Sequence, residues 1–374
     1  MKLKAILSLA IITLGCSSPK KGASVLWSEP AKLPNDLHGR KHIGLAGPVV
    51  GMLQDHLLVL GGANFPNGMP WQGGRKSYSD NGYIYSVNGS HLVLKQEFRL
   101  KEAVAYSANL SLKGKLYFAG GENQNGYVNQ VSSIELSADG QVQQRLLSSL
   151  PVALSAAGMA YGNGRLFFIG GEEQYAVSDK VYSLDLHDPK AKWEEFTQLP
   201  YAVSHAIVLG DQKEKIYIVG GRKKNPNAVS EMYDNVLEME LLSGKIRELT
   251  QLPKALSAGT GVCYESKIYV FGGDDGTTFK RVEAAILEIE KQEDGKIKEE
   301  LIARKNSLQE NHPGFSNENW AYDLKSDSWI KLSPFNGLSP VTTTAVLNGN
   351  QFFIPTGEVK AGVRTNQILI GEIK

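Results

Sequence analysis

The chain has 374 residues, with 40 basic residues against 39 acidic ones and a formal net charge of +1. That balance lacks the electrostatic footprint of a nucleic-acid binder, and past the N-terminal segment no apolar run is long enough to span a bilayer. Thirty-nine glycines spread through the sequence suit a turn-rich β fold.

The first segment reads as targeting rather than structure. Lys2 and Lys4 form a positive start, and Ala5 to Leu14 is a short apolar run ending at Gly15-Cys16. This resembles a bacterial lipoprotein signal, with Thr13 where that motif prefers Leu. The resemblance implies a signal peptide over residues 1–15, cleavage before Cys16, and a lipid on the Cys16 sulfur. An ordinary cleaved signal with an incidental Cys is the other reading. Residues 16–23 then form a flexible tether, and residues 24–374 the folded domain. Lipidation would leave Cys263 without a disulfide partner, in a strand-like apolar stretch where a buried, inert thiol is expected.

Residues 24–34, containing Val25-Leu26-Trp27 and Leu33-Pro34, have the form of an isolated outer strand. A repeat follows. Gly-Gly doublets end short apolar runs at Gly61-Gly62, Gly120-Gly121, Gly170-Gly171, Gly220-Gly221 and Gly272-Gly273, spaced by 59, 50, 50 and 52 residues. Gln351-Phe352-Phe353-Ile354-Pro355-Thr356-Gly357 is a degenerate sixth copy. Downstream come a second strand, a Trp and Leu-Pro, as in Val181-Tyr182-Ser183-Leu184, Trp193 and Leu199-Pro200. The pattern resembles the Kelch repeat, which implies an all-β, six-bladed β-propeller of four-stranded blades. The last blade, ending at Asn366 to Gly371, lacks one strand, which residues 24–34 are expected to supply.

The fifth blade breaks the period, with 84 residues between Gly273 and Gly357. Phe279 to Gln309 is rich in Glu, Lys, Ala, Leu and Ile, predicting a charged helical insertion. A lid over the site and a solvated decoration both fit.

Loops at equivalent positions of a repeat fall on one face, so the segments after the doublets should ring one mouth of the central channel. They carry Asn64 and Arg75, Glu122 and Asn123, Glu172 and Glu173, Arg222 and Lys223, Asp274 and Asp275, then Glu358, Lys360 and Arg364. Such a ring can hold a polar, even anionic, ligand, although charged loop residues also serve solubility alone. The seven histidines are dispersed, so no metal site is expected, and His205 in Ser204-His205-Ala206-Ile207-Val208 reads as a core histidine. No GxSxG, aspartate box or phosphate-cradling loop is present in the sequence.

Gly357-Glu358-Val359-Lys360-Ala361-Gly362-Val363-Arg364-Thr365 resembles the G-E-x-K-x-G-x-R-T signature of the bacterial N-acetylneuraminate epimerases, or sialic acid mutarotases. Lys76-Ser77-Tyr78-Ser79-Asp80 and Gly120-Gly121-Glu122 match further family segments. In the family the signature blade lies mid-chain, whereas here it is last, which implies a cyclic permutation of blades. The resemblance implies a cofactor-free sugar mutarotase with Glu358 as general base and Arg364 on the substrate carboxylate or developing oxyanion. Asn64, Arg75, Tyr78, Glu122, Asn123, Glu172 and Arg222 are the expected substrate contacts. Sialic acid would then be its partner, with no nucleic acid, and the membrane would be met only through the lipid. The lipid signal implies the periplasmic face of an outer membrane, without excluding surface display. A propeller that only binds glycan or protein, with Glu358 and Arg364 as a surface ion pair, is the rival; a mutarotase for another sugar is a second.

Overall fold

In a computed structural model that describes residues 23–35, 39–211 and 213–374, the chain forms a six-bladed β-propeller with two helices. Residues 1–22, which include the signal segment, Cys16 and all but the last residue of the tether, lie outside the described residues.

Blades one to five are each four-stranded antiparallel sheets beginning at Val49, Ala108, Gly158, Ile207 and Thr260. In every blade the first strand lines the axis and the last faces solvent. The second strand is buried on both faces: Lys115–Ala119, Arg165–Ile169 and Lys215–Val219 each show four buried residues after a half-buried first. Alternate side chains of a strand point to opposite faces, so each blade packs on both neighbours. In blade one, Leu57 and Val59 enter the core shared with blade six, while Leu58 and Leu60 enter the core shared with blade two. Six apolar clusters result, one per blade-to-blade interface. Two-residue turns with positive φ at both positions, such as Lys113-Gly114 and Asn163-Gly164, join inner strands with the twist that hairpins favour.

The doublets connect blades. Gly120 and Gly121 both have left-handed φ, at 62° and 100°. A side chain on Gly120 would collide with the Leu154 carbonyl of the next blade, and the Gly121 N–H donates to that same oxygen at 2.8 Å. Gly62, Gly171 and Gly221 make the same bond to Val104, Val203 and Leu256. Thr356 replaces the first glycine in blade six, at φ 51°. Its hydroxyl accepts from the Leu45 N–H at 2.8 Å, and its presence at the junction of blades six and one is supported by that bond.

Blade six contains both ends of the described chain. Its strands Val346–Asn348, Gln351–Pro355 and Gln367–Ile373 are completed by Val25–Trp27, which pairs with Gly371–Ile373, and by Ala31–Lys32, which pairs with Gln367 and Ile368. Trp27 stands edge-on to Phe271, Phe335 and Phe352, so this strand also contacts blade five.

The insertion in blade five is a helical hairpin, α1 (Thr277–Glu290) and α2 (Lys296–Glu310). Asp275 bonds the Thr277 N–H at 2.8 Å and helps to start α1. Ala285 of α1 is buried, whereas α2 has no buried residue. Among the described residues no helix is long and apolar enough to cross a membrane.

Candidate active site at the lidded mouth

The residue after each doublet forms a β-bridge to the segment leading into its blade's first strand. The six bridges are Ala46–Ala63, Ala105–Glu122, Ser155–Glu172, Ser204–Arg222, Ser257–Asp274 and Val341–Glu358. Six equivalent positions, Ala63, Glu122, Glu172, Arg222, Asp274 and Glu358, therefore surround the axis at one height.

Beneath them lies a second ring. Gly47, Tyr106, Ala156, His205, Ala258 and Thr342 all have left-handed φ between 52° and 62°. Each N–H donates to the carbonyl of the member in the preceding blade at 2.7–2.9 Å, and Gly47 receives the closing link by donating to Thr342. Single left-handed residues other than glycine are strained by about 1–2 kcal/mol each. The closed circle of hydrogen bonds offsets that cost. Tyr106, Ala156, His205, Ala258 and Thr342 line both the mouth above and the channel below. The channel has a volume of about 290 Å³ and includes the half-buried Cys263, whose thiol burial pushes up to about 11. Cys263 thus faces the axis rather than a blade core. His205 is likewise a turn residue in the wall of the mouth, not the core histidine its apolar neighbours suggested.

The mouth is a cavity of about 510 Å³, within the range of small-molecule sites. Glu122, Glu172, Arg222, Glu358 and Arg364 are in its wall, joined by Lys76, Asp274 and His312. Asn64, Arg75, Tyr78 and Asn123 are not. Asn64 and Asn123 follow the ring positions by one residue and point elsewhere: Asn64 donates to the Gly44 carbonyl at 3.0 Å, and Asn123 accepts from the Asn125 N–H at 2.8 Å. Tyr78 stands behind Glu122, donating to it at 3.0 Å, with its hydroxyl pushed up by burial to about 12. Arg75 is exposed.

Glu358 and Arg364 face each other on the short hairpin formed by Glu358–Lys360 and Val363–Arg364. Arg364 Nη2 donates to Glu358 Oε2 at 3.0 Å, and the Gly362 N–H donates to Glu358 Oε1 at 3.0 Å. The Arg364 side chain is 4% exposed, stacked 4.6 Å from the Phe65 ring centroid, and its Nε and Nη1 have no hydrogen-bond partner among the described residues. Burial holds the Glu358 carboxyl above its ordinary range, against the opposing pull of Arg364, Gly362 and Lys76.

Glu172 is the opposite case. Burial would raise its pKa, but His205 at 3.5 Å, Arg222 at 3.1 Å and Ser204 at 2.6 Å outweigh it and hold the carboxyl below the ordinary range. Arg222 also stacks 4.6 Å from the ring centroid of Phe279 on α1. Phe279, Val282 and Ile286 of α1 form the outer wall, so α1 covers the mouth, and Gln309 near the end of α2 joins that wall. Glu283 fastens α1 to blade four by accepting from the Ser230 N–H and hydroxyl, both at 2.7 Å. Among the described residues no group of His, Cys, Asp and Glu is arranged to hold a metal ion.

Fold and site together define a six-bladed propeller with a cavity at one mouth, walled on its outer side by a helix and containing a half-buried glutamate paired with an arginine. The N-acetylneuraminate epimerase family model matches residues 147–374, more than half of the sequence, and the chain belongs to that family. Proteins named N-acetylneuraminate epimerase from Haemophilus influenzae (strain 86-028NP) and Pasteurella multocida (strain Pm70) are each 26% identical, over 187 and 198 residues. The first match covers 49% of each chain; the second covers 51% of this chain and 50% of the relative. The similarity thus spans about half the length of these curated relatives. Another so named, from Vibrio vulnificus (strain YJ016), is 32% identical over 108 residues, 26% of each chain. The solved structure of YjhT shares the fold, with a TM-score of 0.63 and 13% identity over 89% of this chain and 98% of that one.

Proposed function

We propose that this chain is a mutarotase that interconverts the α and β anomers of N-acetylneuraminate. The observation that carries the reading is the Glu358–Arg364 pair, in which a half-buried carboxylate with a raised pKa adjoins a buried guanidinium that, among the described residues, still has unpartnered donors. Leaving buried donors unpaired costs about 1–3 kcal/mol per group, which a ligand oxygen would relieve. A propeller that used this pair only as a surface ion pair would not need it lidded and buried.

In the proposed reaction Glu358 takes the proton of the anomeric hydroxyl. The bond from the anomeric carbon to the ring oxygen breaks, its electron pair goes to that oxygen, and the oxygen takes up a proton. The open-chain ketone turns its other face, the ring oxygen gives its proton back to the group that supplied it as it adds again, and Glu358 returns its proton to the new anomeric hydroxyl. A base tuned toward the working pH suits this step better than an ordinary surface carboxylate. Arg364 stays charged and holds the sugar carboxylate, or the charge developing on oxygen, through charge-assisted hydrogen bonds. The α1 wall limits water at the open-chain stage.

One-dimensional proton NMR of freshly generated α-N-acetylneuraminate tests this reading. Wild-type protein should speed the approach to the anomeric equilibrium, and Glu358→Gln should not. Folded wild-type protein that leaves the spontaneous rate unchanged would contradict it. We propose further that Cys16 carries a lipid anchoring the enzyme to the periplasmic face of an outer membrane. Radiolabelled palmitate should enter the expressed wild-type chain but not Cys16→Ala; equal labelling of both would refute the anchor.

A further inference from the structure

Resting on the mutarotase reading, we propose that Asp274 is the acid that gives the ring oxygen its proton while Glu358 takes the proton of the anomeric hydroxyl. Four of the six equivalent ring positions are carboxylates, and three of them are in ion pairs: Glu122 with Lys76 at 2.7 Å, Glu172 with Arg222 at 3.1 Å, and Glu358 with Arg364 at 3.0 Å. Among the described residues Asp274 is in no such pair, although it is in the wall of the same cavity one blade from Glu358. Its Oδ1 accepts the Gly276 N–H at 2.9 Å, which fixes the side chain at the foot of the α1 wall.

An acid and a base of the same chemical type need different surroundings to divide one proton between them. Arg364 favours the charged form of Glu358, whereas Asp274 has no ion-pair partner among the described residues, and its own negative charge acts across the cavity to raise the Glu358 carboxyl. Burial pushes the Asp274 carboxyl up. The Gly276 N–H, His312 after α2 and Arg222 of blade four oppose that, and Asp275 beside it adds to it. The other titratable donors in the cavity are engaged elsewhere or are poorer acids: His205 turns Nε2 toward Glu172 at 3.5 Å, and burial pushes the Tyr106 hydroxyl up. His312 Nδ1 accepts the Gly314 N–H at 3.0 Å, so its neutral ring carries the proton on Nε2 and could donate it only by becoming an imidazolate. Arg222 and Arg364 do not deprotonate, and Lys76 is held by Glu122.

The proton balance closes on these two groups. Opening leaves Glu358 protonated and Asp274 ionised, and reclosure returns each proton to its origin. The working form therefore has Glu358 charged and Asp274 neutral. The wild-type rate, net of spontaneous mutarotation, should fall on the acid side as Glu358 protonates and on the alkaline side as Asp274 ionises.

The test is the pH profile of anomer interconversion for wild type, Asp274→Asn, Asp274→Glu and Glu358→Gln. Asn keeps an acceptor for Gly276 but cannot supply the proton. It should lower the rate about 100-fold or more, removing the alkaline limb and keeping the acid limb. Asp274→Glu should restore part of the rate and the alkaline limb with it. Asp274→Asn with both limbs intact, at full or reduced rate, would overturn this assignment alone, provided wild type is active and Glu358→Gln is not. A wild type with no acceleration would overturn the assignment together with the mutarotase reading.

Discussion

Glu358 stands between opposed influences: burial and the nearby Asp274 charge disfavour its charge, and Arg364, Gly362 and Lys76 favour it. Because the net shift is upward, the base form disappears as pH falls through a value above the ordinary 4.5. The acid limb of the rate should therefore lie higher than an unperturbed glutamate would place it, as stopped-flow polarimetry across pH would reveal. A limb at or below 4.5 would mean that Glu358 is solvated in the working enzyme. The pair itself was legible because Glu358 and Arg364 sit within one nine-residue motif. Tyr106 and His205 were not, because their place in the wall depends on a left-handed turn in each blade. Yet a signal existed: Ala103-Val104-Ala105, Ala153-Leu154-Ser155, Ala202-Val203-Ser204 and Ala255-Leu256-Ser257 precede the inner strands at matching offsets, each followed by a ring member. Asn64 and Asn123 show the converse limit, since a one-residue offset on a strand reverses which way a side chain points.

At the scale of elements, the doublet and the helical insertion have separable roles. Gly170 has φ 64°, and a side chain there would meet the Val203 carbonyl. Gly170→Ala should cost about 3 kcal/mol or more in urea unfolding, combining left-handed strain with a backbone collision. Little change would show that the blade junction is soft. The insertion should behave differently, because α1 is fastened by Glu283 to Ser230 but lies outside the blade cores. Glu283→Ala should raise KM several-fold and speed proteolysis within residues 277–310, with little change in melting temperature. An unchanged KM would mean that α1 does not close over substrate. The doublets and strands were readable from period alone, and the hairpin from composition. What α1 covers was not readable, since its contacts come from blade four and its sequence is only loosely amphipathic.

The whole molecule is a ring held by six equivalent interfaces, so its weakest point is where the chain ends meet. Trp27 spans that point, contacting Phe271 and Phe335 of blade five and Phe352 of blade six, and donating to the Ser333 carbonyl at 3.3 Å. Trp27→Ala should cost about 2–3 kcal/mol and lower the single unfolding transition as a whole. A separate early transition for blade six in calorimetry would show that closure does not couple the ring. A ring can be entered at any blade, and the sequence matches span half of each curated relative while the fold match spans 98% of YjhT. We propose, from the place of the signature blade at the end of the chain, a cyclic permutation with blade contacts kept and chain order changed. In the proposed reaction the covered mouth opens and recloses a sugar ring with Glu358 as its base. Saturation transfer between the H3 protons of α- and β-N-acetylneuraminate at equilibrium tests it most directly. Exchange is expected with wild-type protein and none beyond the spontaneous level with folded Glu358→Gln; equal exchange in both would rule out Glu358 as the base.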